Sequence, residues 1–339
     1  MGRFNFSFFH LGYLMNKALS LSSAAAAGKR VAPLVGNFQG SFNMEQFFRR
    51  KDKVVFVMGA TGTGKSRLAI DLATRFPAEI VNADKIQVYE GLDVVTNKVT
   101  DEERRGITHH LLGSIDPYSN FSSHDFTHHA SDAIESILAR DRLPIIAGGS
   151  NSYIEALVDD YSEFRFRYDF CFLWVDVSLP ILHNFVSDRV DQMVDGGFVG
   201  EVREIFDPKG DYSYGIKRAI GVPELHDYLK AERDGADERT LSILLELAIS
   251  KIKDNTCLLA LRQWQKIRRL QNKRNWNLQR LDATGAFLTE GGNSHPVWEK
   301  NVIEPSSMIV DKFLHDDTRH ITTTIFSPEP VHRAAAVSR

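Results

Sequence analysis

The sequence predicts an α/β protein, a parallel sheet flanked by helices, with a smaller and mainly helical second domain. Three observations carry this expectation. Short apolar runs alternate with helical patterns beyond residue 50, the first of those runs feeds straight into a glycine-rich turn and a helix, and helical periodicity dominates from about Pro180. Strands are expected at Val54–Met58, Glu79–Asn82, Pro144–Ala147 and Phe170–Val177, with right-handed crossover helices at Lys65–Arg75 and Ser122–Ala139. The sheet domain is assigned to 51–179, with 281–315 packing back on it, the helical domain to 180–280, and a flexible tail to 316–339.

Composition sets the outer limits. A 339-residue chain with 43% hydrophobic and 25% charged residues can bury a sizeable core as one large or two modest domains. A net charge of −3 argues against a general nucleic-acid binder, although it leaves room for a local basic patch. The two cysteines, Cys171 and Cys257, are too few for a disulfide framework or a zinc knuckle. No run approaches the roughly 18 consecutive apolar residues of a membrane span, so no membrane partner is expected. The beginning of the chain differs in character: Arg3, Lys17, Lys29 and Arg30, a Ser/Ala-rich run from Ala18 to Ala27, and no Asp or Glu before Glu45. That is the composition of an organellar transit peptide or a disordered tail over 1–50.

The first strand is followed by Gly59-Ala60-Thr61-Gly62-Thr63-Gly64-Lys65-Ser66, and Leu68, Ala69, Leu72 and Ala73 then recur at helical spacing. A buried strand, G-x-x-x-x-G-K-S and a helix start make a P-loop, so the sheet is expected to be P-loop NTPase-like. Its glycines let successive N–H groups turn inward, and the helix N-terminus adds free donors and a positive dipole end. The dipole is worth only about 0.3–2 kcal/mol, so Lys65 and a metal must carry much of the charge compensation for a polyphosphate. Lys65 is placed for the outer phosphate oxygens and the Ser66 hydroxyl for Mg²⁺, the one cofactor expected.

Ligands of parallel sheets sit at the carboxyl ends of the strands. Asp84 follows the second expected strand and Gly148-Gly149-Ser150 the third, so both share an edge with the P-loop. A carboxylate beside a phosphate cradle is repelled by the anion unless it has a function; holding Mg²⁺ or accepting a proton from a nucleophile are the two open to Asp84. The run Phe172-Leu173-Trp174-Val175-Asp176 also ends in a carboxylate, as in P-loop ATPases, which keeps a nucleotide kinase or ATPase in view.

After the P-loop, the run Val81-Asn82-Ala83-Asp84-Lys85-Ile86-Gln87-Val88-Tyr89-Glu90-Gly91-Leu92-Asp93 resembles the isopentenyltransferases, which attach a dimethylallyl group to the exocyclic amine of adenine in tRNA or in free adenine nucleotides. Further matches are Thr96-Asn97-Lys98, Ile107–Leu112, Phe121–Phe126, Ile145–Tyr153, Arg189–Met193, Gly197–Val202 and Gly215–Gly221, so the resemblance covers about Val54 to Phe313. Leu281-Asp282-Ala283-Thr284, Val297–Lys300 and Pro305–Met308 are similar to the plant adenylate branch, which begins cytokinin synthesis.

The resemblance implies that dimethylallyl diphosphate places its diphosphate in the loop Gly59–Ser66 as a leaving group, with an AMP, ADP or ATP acceptor, ADP or ATP preferred, and with no tRNA or DNA partner expected, since the chain lacks room for the tRNA enzymes' added insertion and cysteines for their zinc finger. It makes Asp84 the base at the adenine amine, and Lys65, Ser66 with Mg²⁺, Thr61, Ser150 and Arg189 the candidates for stabilising the departing diphosphate. Lys217, Arg218 and Lys273 become candidates for the acceptor phosphates, a monomer is expected, and the transit-like start fits a plastid, with cytoplasm or mitochondrion as alternatives. On spacing alone, Arg189 reads equally as a surface residue pairing with Asp188 or Asp191. The segment Arg262–Arg280 holds seven basic residues and no acid, which reads first as a solvated helix face, while Trp264, Ile267 and Leu270 look like core of the helical domain. His109-His110 is assigned to a structural turn, and metal binding there or at His124, His128 and His129 is disfavoured. Val99, Thr108 and Ser150 depart from the residues frequent in the tRNA enzymes. The first two are expected near the adenine pocket, and Ser150 keeps a hydroxyl.

Overall fold

The computed structural model describes residues 51–289 and 294–316. The expectations for 1–50 and for 317–339 lie outside the described residues. The chain divides after Arg49, and from Arg50 onward it forms one unit.

Among the described residues, six strands make one parallel sheet in the order β3-β2-β4-β1-β5-β6. Strand β1 (Asp52–Gly59) lies inside it because both of its faces are apolar. Val55 and Val57 enter one core layer, while Val54, Phe56 and Met58 enter the other. Strands β2 (Ala78–Asn82), β4 (Leu143–Gly148) and β5 (Tyr168–Asp176) fall where the apolar runs predict them. Helix α1 (Lys65–Arg75) buries Leu68, Ala69, Ile70, Leu72 and Ala73, and α2 (Ser123–Leu138), opened by a capping box between Ser122 and Asp125, buries Phe126, Ala130, Ile134 and Ile137. From β1 the chain first crosses to the β2 side of the sheet and later returns to the β5 side. That reversal opens a crevice at the carboxyl end of β1.

The sequence did not announce the two edge strands. Strand β3 (His109–His110) is two residues long, and it holds the pair expected in a turn. His110 Nε2 meets Glu79 Oε2 at 2.7 Å, where Arg140 also binds. Among the described residues no group of three or more His, Cys, Asp or Glu could hold a metal ion. Strand β6 (Leu278–Asp282) is half exposed and pairs with β5.

Helix α3 (Leu179–Asp195) takes Pro180 in its first turn and buries Leu182, Val186 and Val190. Helix α4 (Glu238–Arg274) is 37 residues long, about 55 Å, and packs along α3. Ile267 and Leu270 are core, in a cluster that joins Phe198, Leu229 and Ile252 of the helical part to Val54, Phe56 and Phe172 of the sheet, because α4 reaches from the helical layer under the sheet. The basic run is solvated as expected, with Arg262, Arg268, Arg269, Lys273, Arg274 and Arg280 exposed; within it Lys266 and Arg269 bind the Glu155 carboxylate, and Arg280 Nε donates to Asp176 Oδ2 at 2.7 Å. No helix among the described residues is long and apolar enough to cross a membrane.

The segment after β6 returns to the phosphate loop. Trp298 is buried, its Nε1 donates to Asp71 of α1 at 3.1 Å, and its ring lies against Gly64, where an added Cβ would sit 2.5 Å from the indole. Gly64 has φ +91, a left-handed conformation that glycine adopts without strain. Helix α5 (Glu304–His315) then packs against α1 and β5.

Candidate active site

A cavity of about 470 Å³ lies at the carboxyl ends of β1, β2 and β4, lined by Lys65, Ser66, Asp84, Gly148, Gly149 and Arg189 among others. Its size suits a small organic ligand. Each wall comes from a different stretch of sequence. The loop after β1 supplies Thr61 to Ser66, the turn after β2 supplies Asp84, the turn after β4 supplies the paired glycines, and α3 supplies Phe185 and Arg189, one helical turn apart on one face.

Asp84 is held by its own turn. Its Oδ1 accepts the Ile86 N–H at 3.0 Å, and the Ser150 Oγ accepts the Lys85 N–H at 2.8 Å. Ala83 N–H is bonded to Ala147 O at 2.8 Å, so the residue before the carboxylate is pinned to β4. A Cβ placed on Gly149 would lie 3.6 Å from Asp84 Oδ2, which puts that oxygen beside the glycine turn that borders the cavity.

Opposite stands the cradle. Lys65 Nζ donates to Ala60 O at 2.7 Å, within the loop. Burial drives the Lys65 pKa down to about 8, the Asp84 charge resists that fall, and Arg189 adds to it. Arg189 does not pair with Asp188 or Asp191. Its Nη2 donates to Thr61 Oγ1 at 3.0 Å, its Nε is buried without a partner among the described residues, and burial alone pulls its pKa below the usual arginine value. Asp191 binds Lys253 instead. An unpaired guanidinium and a desolvated ammonium on one cavity make a site for an anion, since a buried N–H donor without an acceptor is costly.

A pH dependence follows from Lys65. If Lys65 meets the outer phosphate oxygens as the sequence leads one to expect, its protonated amine attracts a diphosphate below pH 8, and above it the free protein must take up a proton to bind one. Affinity for an alkyl diphosphate should therefore hold up to about pH 7.5 and weaken by up to tenfold per unit above about pH 8. In Lys65→Arg, whose charge persists, the decline above pH 8 should disappear. Calorimetric titration across this range checks it, and a wild-type affinity flat to about pH 9.5 would contradict the assignment.

Other expected residues are placed differently. Gly59, Ala60 and Thr63 are buried and do not line the cavity; the Thr63 hydroxyl donates to Ala60 O at 2.9 Å, so these residues shape the loop from behind. Ser150 does not line it either. Its Oγ accepts the Lys85 N–H, which makes it a support for the Asp84 turn. Lys217 is buried, with its ammonium 5.7 Å from the Tyr118 ring centre, and Arg218 donates to the Tyr89 hydroxyl at 3.2 Å; neither lines the cavity. Lys273 is removed from the acceptor assignment. It stands at the end of α4, just before the turn at Asn275 and the start of β6, on the edge of the parallel sheet opposite the site. Asp176 is occupied by Arg280, which removes the carboxylate that favoured an ATPase.

Reading the sequence missed other cavity residues: Arg67, Gln87, Lys98, Glu103 and Arg105. Lys98 and Gln87 lie within matched motifs but carry no signal of a role. Arg67 and Arg105 are marked only by the buried Asp71 they share, which is invisible before folding. Of the two departures expected near the adenine pocket, Val99 lines the cavity and Thr108 does not.

Comparison with known proteins fits this geometry. The IPP transferase family model matches residues 87–167 and 162–270. This chain belongs to the IPP transferase family. Adenylate isopentenyltransferase 5, chloroplastic, of Arabidopsis thaliana is 60% identical over 319 residues, covering 91% of this chain and 97% of that protein. Adenylate isopentenyltransferase 7, mitochondrial, of the same plant is 52% identical over 296 residues (86% and 90%), and the adenylate isopentenyltransferase of Humulus lupulus is 42% identical over 296 residues (77% and 90%). Two solved structures share the fold. A eukaryotic dimethylallyltransferase acting on tRNA matches with TM-score 0.64 at 24% identity, covering 78% of this chain and 79% of that one. The tRNA isopentenylpyrophosphate transferase of Bacillus halodurans matches with TM-score 0.60 at 24% identity, covering 78% and 99%.

Proposed function

We propose that this IPP transferase family member transfers a dimethylallyl group from dimethylallyl diphosphate to the exocyclic N6 amine of adenine in AMP, ADP or ATP, releasing diphosphate, as the first step of cytokinin synthesis. The observation that carries this is the shared cavity, with the P-loop, Lys65 and Arg189 on one side and the Asp84 carboxylate on the other. The names of the plant relatives support the free-nucleotide acceptor, and ADP or ATP is our expected preference. The chloroplastic and mitochondrial names among them support a plastid location, with the mitochondrion as alternative.

The chemistry follows from the residues. The adenine amine is a weak nucleophile because its lone pair is delocalised, and it becomes cationic as it attacks the allylic carbon. The carbon–oxygen bond to the diphosphate breaks as the nitrogen–carbon bond forms. Asp84 stabilises the positive nitrogen and takes its proton, while Lys65, Arg189 and the Thr61 hydroxyl meet the charge growing on the leaving oxygens. Thr61 Oγ1 accepts from Arg189, which leaves its own hydrogen to donate. Mg²⁺ is part of the proposal: the exposed Ser66 hydroxyl lines the cavity and would hold the ion together with diphosphate oxygens and water, an arrangement usual for this cation. The ion would neutralise the departing diphosphate.

The test is incubation of the protein with Mg²⁺ and dimethylallyl diphosphate plus AMP, ADP, ATP or unmodified tRNA, each separately, with mass analysis for one added prenyl unit. Prenylated free nucleotide is expected. Product on tRNA alone would move the protein to the activity named in the solved relatives, and consumption of ATP without prenylation would restore the kinase reading.

A further inference from the structure

Gln263, on α4, spans the two walls of the active site. Its Oε1 accepts the Thr61 N–H at 2.7 Å, and its Nε2 donates to Gly149 O at 3.0 Å. One planar amide thus joins the phosphate loop to the turn after β4. The fit is close, because a Cβ on Gly149 would lie 2.4 Å from Gln263 Nε2. That same glycine borders Asp84, so the wall held by Gln263 is the wall beside the base. The backbone at 263 is held as well, since Asn151 Nδ2 donates to Gln263 O at 3.2 Å. Thr61 is therefore gripped twice, by Gln263 at its N–H and by Arg189 at its hydroxyl, from two different helices.

We infer that Gln263 is a positioning residue for the transfer step: by tying the phosphate loop to the Gly149 turn it sets the distance between the departing diphosphate and the Asp84 carboxylate. This rests on the activity proposed above. The side-chain chemistry is selective. Glutamine alone offers an acceptor and a donor on one rigid group of this length. Glutamate can still accept from Thr61 but leaves Gly149 O without its donor and sets an anion beside the cradle, and methionine keeps the length with neither bond. The Thr61 N–H is spent on Gln263, so the clamp acts on geometry more than on ligand affinity. A displacement of about 1 Å between reacting groups can cost on the order of 10²-fold in rate.

The experiment measures kcat, both KM values and donor-binding stoichiometry for wild type, Gln263→Met and Gln263→Glu, with dimethylallyl diphosphate and the preferred nucleotide. Gln263→Met is expected to lose about 10- to 100-fold in kcat with both KM values within about threefold and full stoichiometry. Gln263→Glu should lose kcat and also raise the donor KM. Wild-type kcat in Gln263→Met at full stoichiometry would overturn the positioning role, as would a loss confined to KM or one that merely tracks a reduced stoichiometry. If Gln263→Met does not fold, Gln263→Glu decides: an unchanged kcat there overturns the role and a lowered kcat at full stoichiometry supports it. A wild type that prenylates no acceptor overturns the underlying activity and this role with it, whereas an active wild type matched by equally active variants overturns this role alone.

Discussion

Replacing Asp84 by asparagine is expected to lower kcat by about 10²–10⁴-fold while leaving the KM of both substrates within a few fold. The substitution isolates the proton acceptor. An asparagine Oδ1 can still accept the Ile86 N–H, and Ser150 still holds the Lys85 amide, so the turn keeps its shape. In the proposed mechanism, what disappears is the negative charge that meets the cationic amine and the oxygen that takes its proton. A second effect follows from the same charge. Asp84 opposes the depression of the Lys65 pKa, so without it Lys65 should titrate lower still, and donor affinity should begin to fall at a lower pH than in wild type. Steady-state kinetics with donor titrations at several pH values test both parts. A kcat near wild type would put the base elsewhere, and an unmoved pH profile would separate Asp84 from Lys65.

Gly148→Ala is expected to be the most damaging single methyl on the site. An ideal Cβ there would lie 2.1 Å from Ala83 O and 2.2 Å from Ala83 C, both backbone atoms in the strand-end pairing of β2 with β4. Flexible side chains could move aside; here β2 and β4 must part at the point where Ala83 N–H bonds Ala147 O and where Asp84 follows. Overpacking a core costs typically about 1–3 kcal/mol, and a clash with two backbone atoms belongs at or above about 3 kcal/mol. Urea unfolding should show a reduced midpoint with an unchanged slope. Activity should fall even where the variant stays folded, because the displaced segment carries the base. An alanine variant of wild-type stability would contradict the close approach of these two strands.

Much of this architecture is legible in the chain. β1, β4 and β5 carry continuous apolar runs that stand out, β2 sets Ile80 and Val81 between Glu79 and Asn82, and the helix carrying Ser122 and Asp125 announces its own start. β3 and β6 are not legible for the opposite reason: one is two residues long, and the other buries only Leu278 and Leu281 beside exposed Arg280 and Asp282. At the site, the residues that speak through local spacing were found. Lys65, Ser66 and Asp84 sit directly after strands, and the strand-end rule places them. Gln263 and Trp298 depend on contacts across 202 and 227 residues of chain, to Thr61 and Asp71, and nothing in their own neighbourhood marks them. Lys273 shows the converse error. Its basic surroundings suggested phosphate binding, but a helix of this length carries its last turn to the far edge of the sheet.

The indole beneath Gly64 has a consequence for the order in which the protein acquires its form. The phosphate loop lies in the first strand-to-helix unit among the described residues, yet its backing arrives with Trp298, 227 residues after Asp71. At a synthesis rate of about 5–20 residues per second, that interval is roughly 10–45 s, during which the Asp71 carboxylate waits for its N–H partner and the apolar face of α1 for part of its cover. A nascent chain in that interval exposes the kind of surface that chaperones hold. A stop codon placed before Trp298 would accordingly remove the floor of the phosphate loop and the N–H partner of Asp71.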